Sequence, residues 1–319
     1  MKVLVTGGAG FIGSQLVERL LQLGQHVRVL DNFSTGHRAN LAGFADDIDV
    51  VEGDIQSYER VHNAVRGCDA VLHQAALPSV PRSIADPLTS HATNATGTLN
   101  VLLAARDEDV RRLVFASSSS VYGAVEGLPK RETMPTMPIS PYGTAKLAAE
   151  SYCRSFHEVY GLETVALRYF NVFGPRQDPN SEYAAVIPKF IAAYAAGRAP
   201  TIYGDGEQSR DFTYVDNIVD ANLAALDAPG VSGRVFNVAC GERITLNHLA
   251  SELRAEMGVD VEPTHGPARP GDILHSLADV QRAREELGYE PRIGFSEGLR
   301  RTLEYFAQGS SATTAGCTA

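Results

Sequence analysis

Residues 2–14 read "KVLVTGGAGFIGS", an apolar run followed by a glycine-rich segment with Gly7, Gly10 and Gly13 at three-residue spacing. The β-branched and aliphatic run predicts a buried strand, and the amphipathic segment "FIGSQLVERLLQLG", which begins at Phe11, predicts a helix. Glycines at such a junction let the backbone turn tightly, and they let a pyrophosphate approach the N–H groups at the helix N-terminus. The stretch therefore predicts a dinucleotide-binding turn, with a purely structural turn as the alternative.

Short strand-like segments alternate with longer helix-like segments through the first half of the chain. The strand-like segments are "HVRVLD" (26–31), "IDVVEGD" (48–54), "AVLHQAA" (70–76) and "RLVFASS" (112–118), and the helix-like ones are "YERVHNAVRG" (58–67) and "TLNVLLAARD" (98–107). Strands that alternate with helices form βαβ units and a parallel sheet. The predicted fold class is α/β, a Rossmann-like doubly wound parallel sheet with a smaller mixed α/β C-terminal substrate domain.

The alternation loosens in the second half, which predicts two domains. Residues 1–170, with a returning segment at about 211–239, are predicted to form the dinucleotide-binding domain. Residues 171–210 and 240–308 are predicted to form the substrate-binding domain, which ends with three helices around proline-rich links. The small and polar stretch "GSSATTAGCTA" at 309–319 is predicted to be disordered.

The composition of the 319 residues restricts the function classes. A net charge of -10 argues against nucleic acid as the main partner, because phosphate binding needs patches of Lys and Arg. No apolar run reaches the length of a membrane span, and the first residues enter a strand pattern with no room for a signal peptide. The four cysteines are scattered, with no CxxC pair, so a reduced cytoplasmic protein without a metal site is expected.

Two acidic residues follow predicted strands at the edge where a dinucleotide would bind. Asp31 ends the segment "HVRVLD", about twenty residues after the glycines. A carboxylate there hydrogen-bonds a ribose 2′-OH and repels a 2′-phosphate, so NAD is predicted rather than NADP. Asp54 follows the third strand in "EGDI", where it could cap a loop or accept a hydrogen bond from an adenine amino group.

Four consecutive serines, Ser117–Ser120, end the strand-like run "RLVFASS" and continue beyond it. In doubly wound sheets, ligands bind just beyond the carboxyl ends of the strands, so these hydroxyl groups are expected to face a ligand. A helix is predicted further along the chain, with Ser140 as its N-cap and Gly161 at its end. Its residues Tyr142 and Lys146 are four apart and therefore share one helix face.

Tyr142 and Lys146 suit proton transfer at a hydroxyl group. A free phenol has a pKa near 10, which is too high for a base at neutral pH. A neighbouring ammonium and a positive nicotinamide ring would stabilise the phenolate and lower its pKa, and a strand-end serine could share the proton. Such a set moves a proton on and off a hydroxyl while a hydride leaves the same carbon. An ordinary surface Tyr–Lys pair is the alternative.

The motifs "TGGAGFIG", "SSSSVYG" and "YGTAK" resemble those of the extended short-chain dehydrogenase/reductase family, whose members act on nucleotide sugars. The resemblance implies that Ser118 is the catalytic serine, that Tyr142 is the base and that Lys146 is its partner. It also implies that Asn94, in "NATGT", is the asparagine of the helix beneath the active site. The serine run is then part of a catalytic pocket.

Ser119 and Ser120 indicate which reaction of that family to expect. The 4,6-dehydratases of the family carry an Asp–Glu pair just before "VYG", and decarboxylating members keep the Glu of that pair. Without these carboxylates, elimination of water lacks its proton carrier. The remaining chemistry is oxidation and reduction at one carbon, which is NAD-dependent 4-epimerisation through a transient 4-keto sugar.

Longer segments resemble the UDP-N-acetylglucosamine 4-epimerase subgroup most closely, and they are "LDNFSTGH", "HQAALPSVPRSIADP", "RYFNVFGPRQDP", "YAAVIPKF" and "GDILHSLAD". The resemblance implies that Ser276 occupies a gate position, where a bulky tyrosine in some relatives excludes an N-acetyl group. A serine leaves space for an acetamido group, with Gln177 and Ser79 as its candidate partners. Pro78 departs from the subgroup, which tends to have glycine there, and it lacks a backbone N–H donor.

The resemblance assigns two sets of contact residues. NAD is expected to contact Gly7, Gly10, Phe11, Ile12, Asp31, Asn32, Ser34, Thr35, Gly36, Asp54, Ile55, Gln74, Ala75, Ala76, Asn94, Ser117, Tyr142, Lys146 and Tyr169. The UDP-sugar is expected to contact Pro78, Ser79, Ser118, Ser119, Tyr142, Asn171, Gln177, Val186, Tyr203, Arg210, Arg269, Asp272 and Ser276. Asn171, Arg210 and Arg269 correspond to ligands of the diphosphate. Asp272 corresponds to a ligand of the uridine ribose.

The expected function is NAD-dependent interconversion of UDP-N-acetylglucosamine and UDP-N-acetylgalactosamine, with UDP-glucose and UDP-galactose as further substrates. UDP-glucuronate 4-epimerases also carry "SSSSVYG" and stay an alternative. A simple dehydrogenase that releases its keto product and a catalytically silent NAD-binding regulator are further alternatives. By analogy with relatives, a homodimer is expected, in which the helices at 98–107 and 145–160 of each subunit form a four-helix bundle.

Overall fold

The computed structural model describes residues 1–179, 185–268 and 273–315, with side chains up to residue 308. Within these residues the strands are β1 (Lys2–Thr6), β2 (His26–Asp31), β3 (Ile48–Glu52), β4 (Ala70–His73), β5 (Arg112–Ser118), β6 (Glu163–Tyr169), β7 (Val172–Phe173), β8 (Thr201–Tyr203), β9 (Ser209–Arg210), β10 (Thr213–Tyr214), β11 (Arg234–Val238), β12 (Ile244–Thr245) and β13 (Thr264–Gly266). The helices are α1 (Phe11–Gln22), α2 (Tyr58–Val65), α3 (Val80–Ala85), α4 (Pro87–His91), α5 (Thr98–Asp107), α6 (Pro141–Tyr160), α7 (Val186–Ala195), α8 (Val215–Asp227), α9 (Leu246–Met257), α10 (Gln281–Leu287) and α11 (Phe295–Ala315). Short 3₁₀ segments lie at Arg38–Asp47 and Ser119–Val121, and a π-helical turn lies at Ala92–Gly97. None of the helices in this described part of the chain is long and apolar enough to cross a membrane.

Seven strands form a parallel sheet in the order β11-β6-β5-β4-β1-β2-β3. Side chains of a strand alternate between the two faces of a sheet. Val3 and Val5 accordingly pack with apolar residues of α1 and α8, whereas Leu4 packs with those of α2, α5 and α6. Both faces of the sheet are buried, which is why its strands read as apolar runs. The predicted Rossmann-like, doubly wound α/β fold is confirmed.

The second half of the chain builds a separate apolar cluster from α7, α9, α11 and the short strands. Its aromatic centre includes Phe173 and Phe295, both of which contact the ring of Phe212. The chain leaves the main sheet after β6 and returns to it with β11. The division into two domains stays a prediction, and α11 runs through Ala315, past the predicted end of folded structure at residue 308.

Close backbone contacts build the turn between β1 and α1. Gly7 has a φ of 69°, and its N–H donates to Leu30 O at 2.8 Å. A Cβ atom at Gly13 would lie 2.1 Å from the carbonyl oxygen of Gly7, which is far inside any non-bonded contact. Glycine is therefore required at position 13 for α1 to start directly after β1. This turn brings the N-terminus of α1 to the carboxyl edge of the sheet.

α6 begins and ends where the sequence predicts. Ser140 Oγ accepts a hydrogen bond from Gly143 N–H at 3.1 Å, and Gly161 adopts the left-handed conformation with a φ of 73°. The helix packs against β5 and β6 through buried residues such as Ala149. Its first turns consequently lie beside the end of β5, where the serine run begins.

We expect Gly13→Ala to destabilise the protein, because the added methyl group would overlap the carbonyl oxygen of Gly7. The expected loss in the free energy of unfolding is about 3 kcal/mol or more. Gly43→Ala is the control, since a Cβ at this exposed position meets nothing within 4 Å, and its effect should stay within about 0.5 kcal/mol. Urea unfolding followed by circular dichroism measures both variants, and equal stabilities would contradict the requirement for glycine.

Candidate active site

A cavity of about 950 Å³ lies along the carboxyl ends of β1 to β6. This edge is where doubly wound sheets bind their ligands. Residues of the expected NAD set that line the cavity are Gly7, Gly10, Phe11, Ile12, Asp31, Asn32, Ser34, Thr35, Gly36, Asp54, Ile55, Gln74, Ala75, Ala76, Ser117, Tyr142, Lys146 and Tyr169. Residues of the expected sugar set that line it are Pro78, Ser79, Ser118, Tyr142, Asn171 and Gln177. The structure brings together all of the expected NAD set except Asn94, and about half of the expected sugar set, while the individual roles stay predictions.

Asp31 organises one end of the cavity. Its carboxylate accepts hydrogen bonds from Ala9 N–H at 2.9 Å and from Phe33 N–H at 2.8 Å, so it joins the glycine turn to the loop after β2. Burial raises the pKa of Asp31, and these two backbone hydrogen bonds act in the opposite direction. The glycine turn has no side chains in the way, so it fits the pyrophosphate of NAD. The carboxylate at the end of β2 fits the adenosine ribose.

Asp54 closes the loop after β3. Its Oδ1 accepts a hydrogen bond from Gln56 N–H at 2.8 Å, and its Oδ2 accepts one from Asn32 Nδ2 at 2.8 Å. The first of these bonds is the loop cap that the sequence left open as one alternative. The side chain also lines the cavity, and its contact with adenine stays a prediction.

Asn94 lies beneath the cavity, in the π-helical turn, with only 1% of the residue exposed. Its Oδ1 accepts from Leu77 N–H at 2.9 Å, and its Nδ2 donates to Leu77 O at 3.0 Å. This pair of bonds fixes the loop after β4, whose residues from Gln74 to Ser79 line the cavity. Asn94 itself is outside that lining, so a direct contact between Asn94 and NAD stays a prediction.

His73, at the end of β4, belongs to a chain of buried hydrogen bonds. Its Nδ1 lies 2.7 Å from Thr6 Oγ1, and its Nε2 lies 3.0 Å from Thr98 Oγ1. Thr98 Oγ1 donates its own proton to Asn94 O at 2.8 Å, so it accepts from the Nε2–H of the imidazole. Thr6 Oγ1 then donates to Nδ1 and accepts from Ala75 N–H at 3.2 Å. A neutral imidazole therefore links β1 to the loop that lines the cavity.

Ser118, Tyr142 and Lys146 meet at the end of β5. Lys146 Nζ donates to Ala116 O at 2.8 Å and lies 6.0 Å from the centroid of the Tyr142 ring. Burial lowers the pKa of Lys146 to about 8. Burial raises the pKa of Tyr142 to about 12, and a hydrogen bond with Ser118 acts in the opposite direction. At pH 7 the set therefore holds a neutral phenol beside a largely protonated amine.

The other serines of the run differ in their positions. Ser118 Oγ donates to Ser120 Oγ at 3.0 Å and accepts from Ser120 N–H at 3.1 Å. Ser117 lines the cavity and donates a hydrogen bond to Glu150. Ser119, which is expected to contact the sugar, lies outside the cavity lining, because the chain turns into the 3₁₀ segment at this residue.

Further residues of the expected sugar set lie outside the cavity lining, and they are Val186, Tyr203, Arg210 and Ser276. Arg210 and Ser276 are joined through one carbonyl group, since Arg210 Nη1 and Ser276 N–H each donate to Ser209 O at 3.0 Å. Val186 begins α7 directly after Ala185, which does line the cavity. Arg269 and Asp272 lie outside the described residues. Contacts of all these residues with a sugar nucleotide stay predictions.

The cavity wall also contains residues that sequence analysis did not single out. They include His37, Gln56, Arg82, Thr89, Thr93 and Asp178. Arg82 lies in α3, and the N-cap of that helix, Ser79, has a φ of 97° and accepts from Arg82 N–H at 3.3 Å. The sequence did contain a signal for Arg82, because "SVPRSIADP" follows β4 and so belongs to the carboxyl edge of the sheet.

Known proteins of similar sequence and structure act on nucleotide sugars. A sequence model of the NAD dependent epimerase/dehydratase family matches residues 3–239. A UDP-N-acetylglucosamine 4-epimerase from Methanobrevibacter ruminantium, solved in complex with UDP-N-acetylmuramic acid, is 42% identical with a TM-score of 0.92, over 97% of this chain and 98% of that chain. A UDP-glucose 4-epimerase from Thermus thermophilus, solved in complex with NAD, is 39% identical with a TM-score of 0.88, over 96% of this chain and 99% of that chain. The UDP-glucose 4-epimerase of Mycolicibacterium smegmatis is 40% identical over 314 residues, which cover 97% of this chain and 100% of the relative.

We expect His73 to make the protein less stable in acid. Burial lowers its pKa from 6.5 to about 3, so between these values the unfolded chain takes up a proton that the folded chain does not. Stability should therefore fall as the pH drops below 6.5, by up to about 1.4 kcal/mol per pH unit from this group. A His73→Gln variant lacks this contribution, so its free energy of unfolding should decline less steeply between pH 7 and pH 4.

Urea unfolding at a series of pH values measures the two slopes. His26→Gln, which changes an exposed histidine, is the control and should keep the wild-type slope. Parallel pH dependences of the wild type and His73→Gln would show that His73 is not held neutral.

Proposed function

The chain belongs to the NAD dependent epimerase/dehydratase family and uses NAD, and we propose that it interconverts the C4 epimers of a UDP-hexose. One observation carries the proposal: Ser118, Tyr142 and Lys146 meet at the end of β5, in the cavity that also contains the glycine turn. The proposed base for a sugar hydroxyl thus shares a cavity with the residues that fit a dinucleotide. Epimerisation needs no second redox partner, because the hydride that leaves the sugar carbon returns to it.

Ser118, Tyr142 and Lys146 each have a role in the proposed proton transfer. When bound, NAD supplies the chemistry of accepting a hydride from C4 and giving it back. Tyr142 Oη removes the proton of the C4 hydroxyl, and it returns a proton to the same oxygen in the second half of the reaction. Ser118 Oγ holds that oxygen by a hydrogen bond during both transfers.

Lys146 makes Tyr142 usable as a base. Burial raises the pKa of Tyr142 to about 12, so the phenolate needs a positive charge nearby. The Lys146 ammonium, 6.0 Å from the centroid of the Tyr142 ring, supplies that charge. Because burial lowers the pKa of Lys146 to about 8, the charge is present at pH 7 and is lost as the pH rises through that value. We infer that activity declines on the alkaline side.

The end of β5 supports epimerisation over elimination of water. Ser119 and Ser120 stand where dehydratases of this family carry their acid–base pair. Glu150 contacts Ser117, but its carboxylate is bonded to Arg168 inside the protein and lies outside the cavity lining. Elimination would therefore have no carboxylic acid at this strand end to protonate the leaving hydroxyl.

We further propose an N-acetylated UDP-hexose as the preferred substrate. The family resemblance implies that Ser276 stands at the gate where some relatives have a bulky tyrosine. The buried Oε1 of Gln177 has no hydrogen-bond partner among the described residues, so it can accept from an acetamido N–H. The complex of the Methanobrevibacter ruminantium relative with UDP-N-acetylmuramic acid supports an N-acetylated ligand. UDP-glucose should be a second substrate, because a pocket rejects a smaller ligand only weakly.

A homodimer is proposed as well. α6 exposes Tyr152, Val159 and Tyr160 by 40%, 69% and 52%, which is unusual for large apolar side chains on one helix. Pairing α5 and α6 of two subunits as a four-helix bundle would cover this surface and repeat the same contact on both sides of a two-fold axis.

Proton NMR of the purified protein with three sugar nucleotides, without added NAD, tests the proposal. UDP-N-acetylglucosamine should give the galacto anomeric signal fastest, UDP-glucose more slowly and UDP-glucuronate slowest. Turnover of UDP-glucuronate alone would assign the protein to that alternative. A released 4-keto product would indicate a simple dehydrogenase, and no turnover of any of the three, even with NAD supplied, would favour a silent NAD-binding regulator.

We expect Tyr142→Phe to lower kcat by a factor of about 10³, because general base catalysis contributes roughly 10²–10⁴-fold. The loss should be in kcat rather than in KM, since the missing hydroxyl acts on the reacting oxygen. Tyr305→Phe is the control, as it removes an exposed hydroxyl outside both the cavity and the proposed dimer surface. Initial rates with the preferred substrate measure both variants, and comparable rates would exclude Tyr142 as the base.

We expect Ser276→Tyr to lower kcat/KM for UDP-N-acetylglucosamine by roughly 10–100-fold relative to UDP-glucose, because overpacking a site costs about 1–3 kcal/mol. Ser276→Ala is the control, since it removes the hydroxyl but keeps the space, and it should leave the substrate ratio within about twofold. An unchanged ratio in Ser276→Tyr would show that this residue does not border the acetamido group.

A further inference from the structure

A third polar side chain of α6 follows Lys146 by one helical turn. Glu150 is four residues after Lys146, as Lys146 is after Tyr142, so the three side chains share one helix face. Glu150 is 5% exposed, and its partner Arg168 of β6 is 4% exposed. Arg168 donates to the two carboxylate oxygens from Nε at 2.9 Å and from Nη2 at 2.8 Å. Glu150 Oε1 also accepts a hydrogen bond from Ser117 Oγ.

Stability alone gives no reason for a charged pair at this place. The attraction between two buried charges roughly offsets the cost of taking them out of water, and apolar side chains of similar size often give equal or greater stability. Arg168 Nη1 is also buried without a hydrogen-bond acceptor in the part of the chain that the structure describes, which adds a further cost. A pair with these costs, located beside the active site, points to a role in the reaction.

We propose that Glu150 is a positioning residue: it ties the face of α6 that carries Tyr142 and Lys146 to the end of β5, and its negative charge stabilises the Lys146 ammonium. The part of the inference that concerns turnover rests on the proposed epimerase function. The effect of the Glu150 charge on Lys146 is a property of the protein that can be measured without a substrate.

Two successive residues of β5 hold α6 in place. Lys146 Nζ bonds Ala116 O at 2.8 Å, and Glu150 bonds the hydroxyl of Ser117. The next residue of the strand is Ser118, the proposed partner of the sugar oxygen. A loss of the second tie would let α6 shift relative to Ser118, and a misplacement of about 1 Å in such a set can lower a rate roughly 10²-fold.

Several titratable and charged groups face Lys146, namely His73 of β4, Tyr142, Glu150 and Cys153 of α6 and, behind Glu150, Arg168 of β6. Burial lowers the pKa of His73 to about 3, so the imidazole is neutral. Burial raises the pKa of the Cys153 thiol, which therefore keeps its proton. Burial lowers the pKa of Lys146, and Cys153 and then Glu150 act in the opposite direction. Because the thiol keeps its proton, the carboxylate of Glu150, which is paired with Arg168, is the negative charge that favours the ammonium.

Removal of the carboxylate changes the sign of the local charge. Glu150→Gln keeps the shape of the side chain but leaves the guanidinium of Arg168 without its counter-ion. The ammonium of Lys146 then loses the carboxylate that stabilises its positive charge, and the unpaired positive charge of Arg168 disfavours it. Its proton should therefore dissociate at lower pH, and the alkaline limit of kcat should move in the same direction.

A lysine titration of the NAD-bound protein tests the proposal. The chain contains four lysines, Lys2, Lys130, Lys146 and Lys189, so selective ¹³C labelling at Cε gives few NMR signals, and Lys146→Met identifies the one that matters. In Glu150→Gln, the titration midpoint of Lys146 should fall by about one pH unit or more. Glu158→Gln, which neutralises an exposed carboxylate of the same helix, is the control and should leave the midpoint unchanged.

Glu150→Asp separates the tie from the charge. It keeps the negative charge but shortens the side chain by one methylene, so the Lys146 midpoint should stay within about 0.3 pH units while kcat falls about tenfold and KM changes little. This variant also decides the matter if Glu150→Gln does not fold, because a wild-type kcat in folded Glu150→Asp would overturn the positioning role.

The outcomes keep the two proposals apart. An unmoved Lys146 midpoint in folded Glu150→Gln would overturn the role of the Glu150 charge, whatever the enzyme's activity. A wild-type protein that turns over no UDP-sugar would overturn the proposed function, and the lysine titration would still decide whether Glu150 controls the charge of Lys146.

Discussion

The carbonyl oxygen of Gly7 occupies the space that a side chain on Gly13 would need, and this contact sets the start of α1 on the first strand. α1 connects β1 to β2 and begins at the carboxyl end of β1. The carboxyl ends of all the parallel strands lie at this same edge of the sheet, where doubly wound folds bind their ligands. The glycine turn, Asp31, the loop after β4 and the serine run of β5 consequently share one cavity although they are far apart in the sequence.

Buried polar side chains transmit this order from the sheet to the cavity wall. Asn94 holds both backbone groups of Leu77, and His73 connects Thr6 to the same region of the chain. Each of them is satisfied by short hydrogen bonds inside an otherwise apolar core, where an unpaired polar group would be costly. These hydrogen bonds fix the loop after β4 to the sheet behind it, and a fixed position is what the placement of reacting atoms requires.

Local sequence patterns predicted much of the fold and part of the site. The spacing of apolar residues identified the strands of the sheet and helices such as α6. The N-cap of α6, Ser140, and its end at Gly161 were predictable because they depend only on neighbouring residues. The motifs also predicted NAD and the epimerase class. The pairing of Glu150 with Arg168 was not predictable, because spacing within a helix does not tell which strand faces it. Ser276 depends likewise on how loops pack, which is why the preferred sugar stays a proposal.

β11 joins the sheet next to β6, although residues 170–233, which include α7 of the second apolar cluster, lie between the two strands in the chain. On the ribosome, β6 therefore remains an edge strand until residues 234–238 have emerged. An open edge of an apolar strand readily pairs with other chains. The main sheet is therefore completed only after residues 170–233 have been synthesised, and until then the nascent chain carries an aggregation-prone edge.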